Sequence, residues 1–172
     1  LNISKGISTV SYKTGGAQLK ERFFVSHPQQ AIFIEISSES AQGLNGRVRL
    51  SRPEDNGHPT VSVKSTEDNL LIMSGEVTQH GAKFRSEPSP IVHGVKFETC
   101  LRILNDGGEI NTGEDYLELN NVKKAIFQIV SNSSFYCDDP ASRNKEQLMA
   151  LEGKTFDQLL ESHVIDHQDL YN

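Results

Sequence analysis

The chain has 172 residues, with 17 Lys and Arg against 23 Asp and Glu, and a formal net charge of −6. This acidic balance lacks the basic stripe of a nucleic-acid-binding protein, and no apolar run reaches the ~18–20 residues of a membrane span. The length indicates one domain, or one domain with an appendage, and a core large enough to fold without staples. Because the chain starts at Leu1 and shows no signal-peptide regions, we expect an excised or processed piece.

Residues 18–36 predict two strands folded about a bend at His27-Pro28. Aromatic and β-branched residues fill both runs, and such residues fit a pleated, half-buried surface. Pro28 has no N–H for a sheet ladder, so the chain must turn or change sheets there. A preceding strand is predicted over residues 7–13, followed by the turn residues Gly15-Gly16.

Further β-rich runs follow, separated by stretches rich in turn residues. They predict strands at residues 47–50, 60–64, 70–74, 95–104, 109–111, 116–119 and 123–131. Between them, residues 75–94 form a long stretch without a clear period, and long loops in compact domains are often functional.

After Pro140 the hydrophobic period changes from that of a strand to that of a helix. Residues 141–151 predict a short helix that ends near Gly153. Thr155 and Gln158 have the spacing of a capping box, which predicts the start of a second helix. One broad apolar face of that helix carries Phe156, Leu159, Leu160, His163, Val164, His167, Leu170 and Tyr171.

These elements predict a mainly β fold, an antiparallel β-sandwich of roughly ten strands with a C-terminal helical segment. We expect residues 1–139 to form the sandwich domain and residues 140–172 to form a helical linker.

The order of motifs resembles the N-terminal domain of glycoside hydrolase family 95. The similar stretches are Val10-Ser11-Tyr12, Gly16, the run from Glu21 to Ile32, Gly94 to Glu98, and the tail from Thr155 to Tyr171. Together they cover nearly the whole chain. Two positions depart from the family pattern: Gln29 stands where the family has Asp, and His167 where it has Tyr.

The resemblance implies a supersandwich-like domain of an inverting α-L-fucosidase-like enzyme, or of a relative acting on α-L-galactosides. It implies that a helical linker joins this domain to an (α/α)6 catalytic barrel. It also implies that the opening strands and the barrel lie outside this chain, and that the parent is bacterial and periplasmic or secreted. The expected partner is that barrel, which the apolar face of the second helix would dock against. A fucosylated glycan is a further expected partner.

No catalytic residue, cofactor or metal site is predicted within the chain. An inverting glycosidase needs two carboxyl groups about 6.5–9.5 Å apart across the sugar, and the family's acid and base belong to the barrel. His163 and His167 share one side of the helix but lack a third metal ligand. Ser26 and His27 are strand neighbours that face opposite sides, so a nucleophile–base pair is not expected. Cys100 and Cys137 are predicted to be unpaired thiols.

The stretch 75–94 is the expected place for a contribution to a neighbouring cleft, because its polar side chains can hydrogen-bond hydroxyl groups. The candidates are His80, Lys83, Arg85, Glu87 and His93. Aromatic side chains that would stack on sugar rings are Tyr12, Phe84, Tyr116, Phe135 and Tyr136, although core packing is the commoner role of such residues in a sandwich.

Three hypotheses follow. The first is a non-catalytic sandwich that scaffolds a catalytic barrel. The second is a stand-alone carbohydrate-binding module. The third is a homodimeric structural domain that completes its sandwich by strand exchange across unpaired edges. Without the barrel, the apolar helix face predicts either self-association or folding back onto the sandwich.

Overall fold

The structure is a computed structural model, and it describes residues 1–54, 60–77, 83–84, 87–88 and 94–171, with backbone alone at 83–84, 87–88 and 171. A short 3-10 turn, Ile3–Lys5, opens the chain. The strands are β1 Ser8–Thr14, β2 Ala17–Ser26, β3 Ala31–Ser38, β4 Leu44–Val48, β5 Val61–Thr66, β6 Leu70–Glu76, β7 Lys83–Phe84, β8 Glu87–Pro88, β9 Lys96–Asp106, β10 Glu109–Thr112, β11 Leu117–Val122 and β12 Lys124–Ser133. The helices are α1 Pro140–Ala150 and α2 Phe156–Tyr171.

A seven-stranded antiparallel sheet forms the centre of the molecule. Its strand order is β1-β2-β3-β12-β9-β6-β5, so the last long strand, β12, lies between β3 and β9. A three-stranded sheet, in the order β10-β11-β4, packs on one face, and β7 pairs with β8. The predicted mainly β, antiparallel sandwich with a C-terminal helical segment is confirmed.

Alternation along the strands sends side chains to two separate cores. Phe24 and Phe33 point to the helix side of the large sheet, where Leu148, Phe156 and Leu159 cover them. The opposite face, between the two sheets, buries Leu71, Leu101, Ile103, Leu117, Leu119, Val122, Ala125 and Phe127. The large sheet is therefore the middle layer of three.

Each helix begins with a side-chain cap. Asp139 accepts hydrogen bonds from the backbone N–H groups of Ala141 and Ser142, with Pro140 in the first turn of α1. At α2, the backbone N–H of Thr155 donates to Gln158 Oε1 at 2.9 Å, and the N–H of Gln158 donates to Thr155 Oγ1 at 3.2 Å. The capping box predicted from the sequence is confirmed.

The turns and one strand boundary test the predicted layout in detail. A turn at residues 27–30 joins β2 to β3, and Gly15 and Gly16 both take positive φ between β1 and β2, as predicted. The short strand predicted at 47–50 lies instead at Leu44–Val48, because its partner β11 begins at Leu117, opposite Val48, and the pairing continues past a bulge to Leu44. The division into domains 1–139 and 140–172 remains a prediction, although both helices share a core with the sheet.

Candidate functional surfaces

The apolar face of α2 lies against the chain's own sheet. Phe156, Leu159 and His163 are buried there. The Phe24 ring contacts Phe156 edge-on at 5.3 Å between centroids and stacks on His163 at 4.9 Å. Of the two outcomes expected for this stripe, the structure shows folding back onto the sandwich. These three side chains are therefore already covered within the chain.

The remaining residues of the predicted docking face are more open. Leu160 is partly buried at the edge of the same core. Leu170 is largely exposed, as is Ile165, which the predicted face did not include. Tyr171 has a described backbone only. Docking of this face on a barrel stays a prediction, and the accessible part of it is Leu170 in the last turn of the helix.

Two histidines attach α2 to the start of the chain. His163 Nε2 lies 3.1 Å from the carbonyl oxygen of Gly6, and His167 Nε2 lies 2.8 Å from that of Ile3. A carbonyl oxygen only accepts, so each Nε2 carries a proton and donates it. This geometry makes the pair a structural anchor between the last helix and the first turn.

The turn between β2 and β3 makes polar contacts with α2. Gln29 hydrogen-bonds Ser26 and donates through Nε2 to Ser162 Oγ at 3.0 Å. His27 Nδ1 lies 3.4 Å from Asp166 Oδ1. The Ser26-His27 motif thus fixes a corner of the sheet under the helix. The bridge made by Gln29 was not predicted, because no sequence pattern connects residues so far apart.

Arg22 joins β2, β3 and α2 through one guanidinium. It lies 2.7 Å from Glu35 and 3.0 Å from Asp157, and it stands 4.7 Å above the Phe156 ring centroid. Burial by itself lowers the pKa of Arg22, but hydrogen bonds to the two carboxylates outweigh that effect and raise it. The cation is therefore held in place between the sheet and the helix.

The predicted cleft loop falls largely outside the described residues. His80, Arg85 and His93 lie outside them. Lys83 belongs to β7 and Glu87 to β8, and the structure describes only the backbone of these two residues. Their role in a cleft stays a prediction.

The aromatic candidates occupy different places. Tyr116 lies under two guanidinium groups, with its ring centroid 4.6 Å from Arg47 and 5.0 Å from Arg49. Tyr12 is half-exposed on β1 and donates to Glu21 at 2.8 Å. Phe135 and Tyr136 stand together at the end of β12, edge to face at 4.9 Å, and Tyr136 is 85% exposed. Phe84 has only its backbone described.

Tyr136 borders an open groove with a volume of about 570 Å³. Along the groove, polar side chains from the β2–β3 turn, β12 and α1 come together. Its lining residues are Gln30, Phe97, Ser131, Asn132, Ser133, Tyr136, Cys137, Arg143 and Gln147. The sequence predicted Tyr136 as a candidate but gave no sign of the amides around it.

Both cysteines are free thiols, as predicted. Cys100 is buried on β9, and Cys137 is partly exposed in the groove. Burial, reinforced by the Glu98 carboxylate, raises the pKa of Cys100 to about 12. Cys100 is therefore protonated and unreactive near neutral pH.

One part of the large sheet has an uncovered apolar face. The three-stranded sheet covers its centre, but not the outer part on β1, β2 and β3. Cross-strand pairing places the exposed apolar side chains of these strands on one face. We call this surface the open patch, and it consists of Val10, Tyr12, Phe23, Val25 and Ile32. Val25 is 64% exposed although it is paired with Ile32 near the turn end of the β2–β3 ladder.

The described residues contain neither a candidate metal cluster nor a candidate membrane-spanning helix. No cluster of three or more His, Cys, Asp or Glu side chains there has the arrangement of a metal site. The helices of that same part are too short or too polar to cross a bilayer.

The chain is similar to parts of larger proteins that act on carbohydrates, as their descriptions state. A family model described as "Glycosyl hydrolase family 65, N-terminal domain" matches residues 1–138. Alpha-L-fucosidase 2 of Arabidopsis thaliana is 22% identical over 191 residues, an alignment that covers 100% of this chain and 22% of that protein. A solved structure described as "Putative kojibiose phosphorylase from human microbiome" superposes with a TM-score of 0.62 at 10% identity, over 99% of this chain and 22% of the other. The chain thus spans about a fifth of the length of these proteins.

Proposed function

Because the chain belongs to the glycosyl hydrolase family 65 N-terminal domain family, we propose that it is the non-catalytic sandwich of a larger α-L-fucosidase-like hydrolase. In that enzyme, the sandwich and its two helices hold the catalytic domain of the same polypeptide in place. The membership of glycoside hydrolase family 95 that the motifs suggest is part of this proposal. The fucosidase relative supports it, being similar over the whole of this chain.

The open patch is the observation that carries the scaffold role. Seven strands face only three, so apolar side chains of β1–β3 are left in water beside a well-packed core. Exposed apolar surface next to a packed core marks an interaction site. The fucosidase relative is far longer than this chain, which makes other parts of the same polypeptide the natural cover.

The C-terminal turn of α2 gives a second contact of the same kind. Leu170 lies two turns beyond His163 on the same side of the helix, but it is exposed, whereas Phe156, Leu159 and His163 are held on the sheet. Leu170 is thus the accessible part of the predicted docking face, and it would contact the neighbouring domain.

Co-expression with the remainder of the parent polypeptide tests the scaffold role. We expect the two parts to co-purify and the complex to hydrolyse a nitrophenyl α-L-fucoside. Val25→Asp should weaken their association by about tenfold, because it places a charge in the apolar contact. Leu104→Asp is the matched control, since Leu104 is a half-exposed apolar residue of the same sheet outside the open patch.

Two results would count against the proposal in different ways. A catalytic part that is stable and fully active without this chain contradicts the scaffold role. A complex that cleaves α-D-glucosides and leaves α-L-fucosides intact retains the scaffold role and removes the fucosidase assignment. A fucosylated glycan as partner, self-association and a periplasmic or secreted location remain predictions.

A further inference from the structure

The groove beside Tyr136 has polar atoms whose directions are set from inside the protein. Asn144, fully buried on α1, donates through Nδ2 to the Glu98 carbonyl at 2.8 Å. Its Oδ1 accepts from Asn132 Nδ2 at 2.7 Å. Because a buried amide makes these bonds, Asn132 cannot flip without leaving Asn144 Oδ1 without its donor.

The next bond of this network orients a second amide. Asn132 Nδ2 also donates to Gln147 Oε1 at 2.6 Å. The acceptor Oδ1 of Asn132 and the donor Nε2 of Gln147 therefore remain available to a ligand. Within the described part of the chain neither atom has a hydrogen-bond partner, and neither is buried. The groove thus presents a fixed acceptor beside a fixed donor.

An acceptor next to a donor matches a hydroxyl group, which donates one hydrogen bond and accepts others. Arg143, half-exposed on α1, adds further donors, and its charge is partly balanced by Glu146 at 3.3 Å. No carboxylate is among the lining residues that the structure describes. This donor set is poorly suited to a cation and well suited to a neutral polyol.

Tyr136 supplies an apolar surface at the same place. Its ring is 85% exposed and is supported edge-on by Phe135. An exposed aromatic ring is a platform for the C–H face of a pyranose, while hydroxyls at the rim of the sugar reach polar groups. The groove volume, about 570 Å³, lies within the ~300–1,000 Å³ range of small-molecule sites.

We propose that this groove binds a neutral pyranose unit of a glycan, stacked on Tyr136 and hydrogen-bonded to Asn132, Gln147 and Arg143. The site goes beyond the scaffold role and does not rest on it, because it uses only residues of this chain. It would hold one unit of a sugar chain at the C-terminal end of β12.

Titration of the full chain with L-fucose and with D-glucose tests the site. We expect at least one of them to bind with a millimolar Kd, as suits a single sugar in an open groove. Tyr136→Ala should weaken that binding about tenfold through loss of the ring platform. Asn132→Ala should weaken it by a similar factor. Tyr12→Ala is the matched control, being an exposed tyrosine on β1 that does not line the groove.

Cys137 provides a second readout that needs no catalysis. It lines the groove as a partly exposed thiol, whereas Cys100 is buried and reacts slowly. Bound sugar should slow the alkylation of Cys137 by iodoacetamide several-fold, and Tyr136→Ala should abolish that protection.

Three outcomes would overturn the assignment. The first is the absence of binding heat and of Cys137 protection with both sugars in a folded chain. The second is equal weakening by Tyr12→Ala and Tyr136→Ala. The third is displacement of the sugar by inorganic phosphate at millimolar concentration, which would make the groove an anion site centred on Arg143. None of these results bears on association with the catalytic part.

Discussion

Cys100 shows how burial changes the chemistry of one side chain. Its thiol lies 3.5 Å from Glu98 Oε1 on β9, and burial followed by that carboxylate raises its pKa from 9.0 to about 12. The unfolded chain loses this proton near pH 9, while the folded chain keeps it to about pH 12. The contribution to stability is therefore fully present below pH 9 and is lost as the pH rises toward 12.

We predict that the free energy of unfolding falls between about pH 9 and pH 10.5, in part through this thiol. Urea unfolding of the native chain and of Cys100→Ala across that range should show a shallower fall in the variant. Cys137→Ala is the control and should keep the native slope. Identical slopes for the native chain and both variants would contradict the assignment of the effect to Cys100.

Side chains differ in how far their roles can be predicted from sequence. Thr155 and Gln158 act on neighbours three positions away, so the capping box was predictable. Asn144 acts on Glu98 and Asn132, and an Asn in an amphipathic helix is ordinarily a solvated residue. Nothing near Asn144 in the sequence distinguishes it from such a residue. The polar groove was therefore found only in the structure.

For strands and helices too, local patterns were predictable from the sequence and contacts between distant residues were not. The alternation of apolar and polar residues in 95–104 predicts β9, because successive side chains of a strand point to opposite faces of the sheet. The shift of β4 arises from its pairing with β11, which begins opposite Val48 and continues past a bulge near Asn121 to Leu44. The stripe on α2 predicts an apolar contact but not its partner, because hydrophobic burial has no direction. Only packing shows that Phe24 and Phe33 fill that position.

The attachment of α2 to the first turn can be tested at Gly6. This glycine has φ +60, and a Cβ built on it would lie 2.8 Å from His163 Nε2. The ring cannot retreat without losing its stacking on Phe24. We predict that Gly6→Ala costs about 2–3 kcal/mol of stability and increases hydrogen exchange in the last turns of α2.

Gly15→Ala is the matched control for this substitution. Gly15 has φ +55 with nothing within 4 Å of the added Cβ, so the cost is the backbone strain alone, about 1 kcal/mol. Equal losses of stability in the two variants, measured by urea unfolding, would show that the contact with His163 contributes nothing.

The whole molecule is a three-layer body in which one layer is too small. The three-stranded sheet leaves the open patch in water, so we predict that the native chain binds anilinonaphthalene sulfonate. Val25→Thr with Ile32→Thr keeps β-branched side chains and should lower the dye fluorescence several-fold. Because both residues are at least partly exposed, the free energy of unfolding should change by about 1 kcal/mol or less.

Leu104→Thr, outside the open patch, is the control for the dye measurement and should leave the fluorescence unchanged. Equal fluorescence from the native chain and the double variant would mean that the dye binds elsewhere and that the open patch is not a cohesive apolar surface.

The hydrogen bonds from His163 and His167 to Gly6 and Ile3 bring the first and last described elements together. His167 lies only four residues before Tyr171, a rise of about 6 Å along a helix. Polypeptides fused before Ile3 and after Tyr171 would therefore leave the sandwich from neighbouring points on its surface. Fluorescent proteins fused there would transfer energy efficiently, and the signal would drop if the final helix came loose.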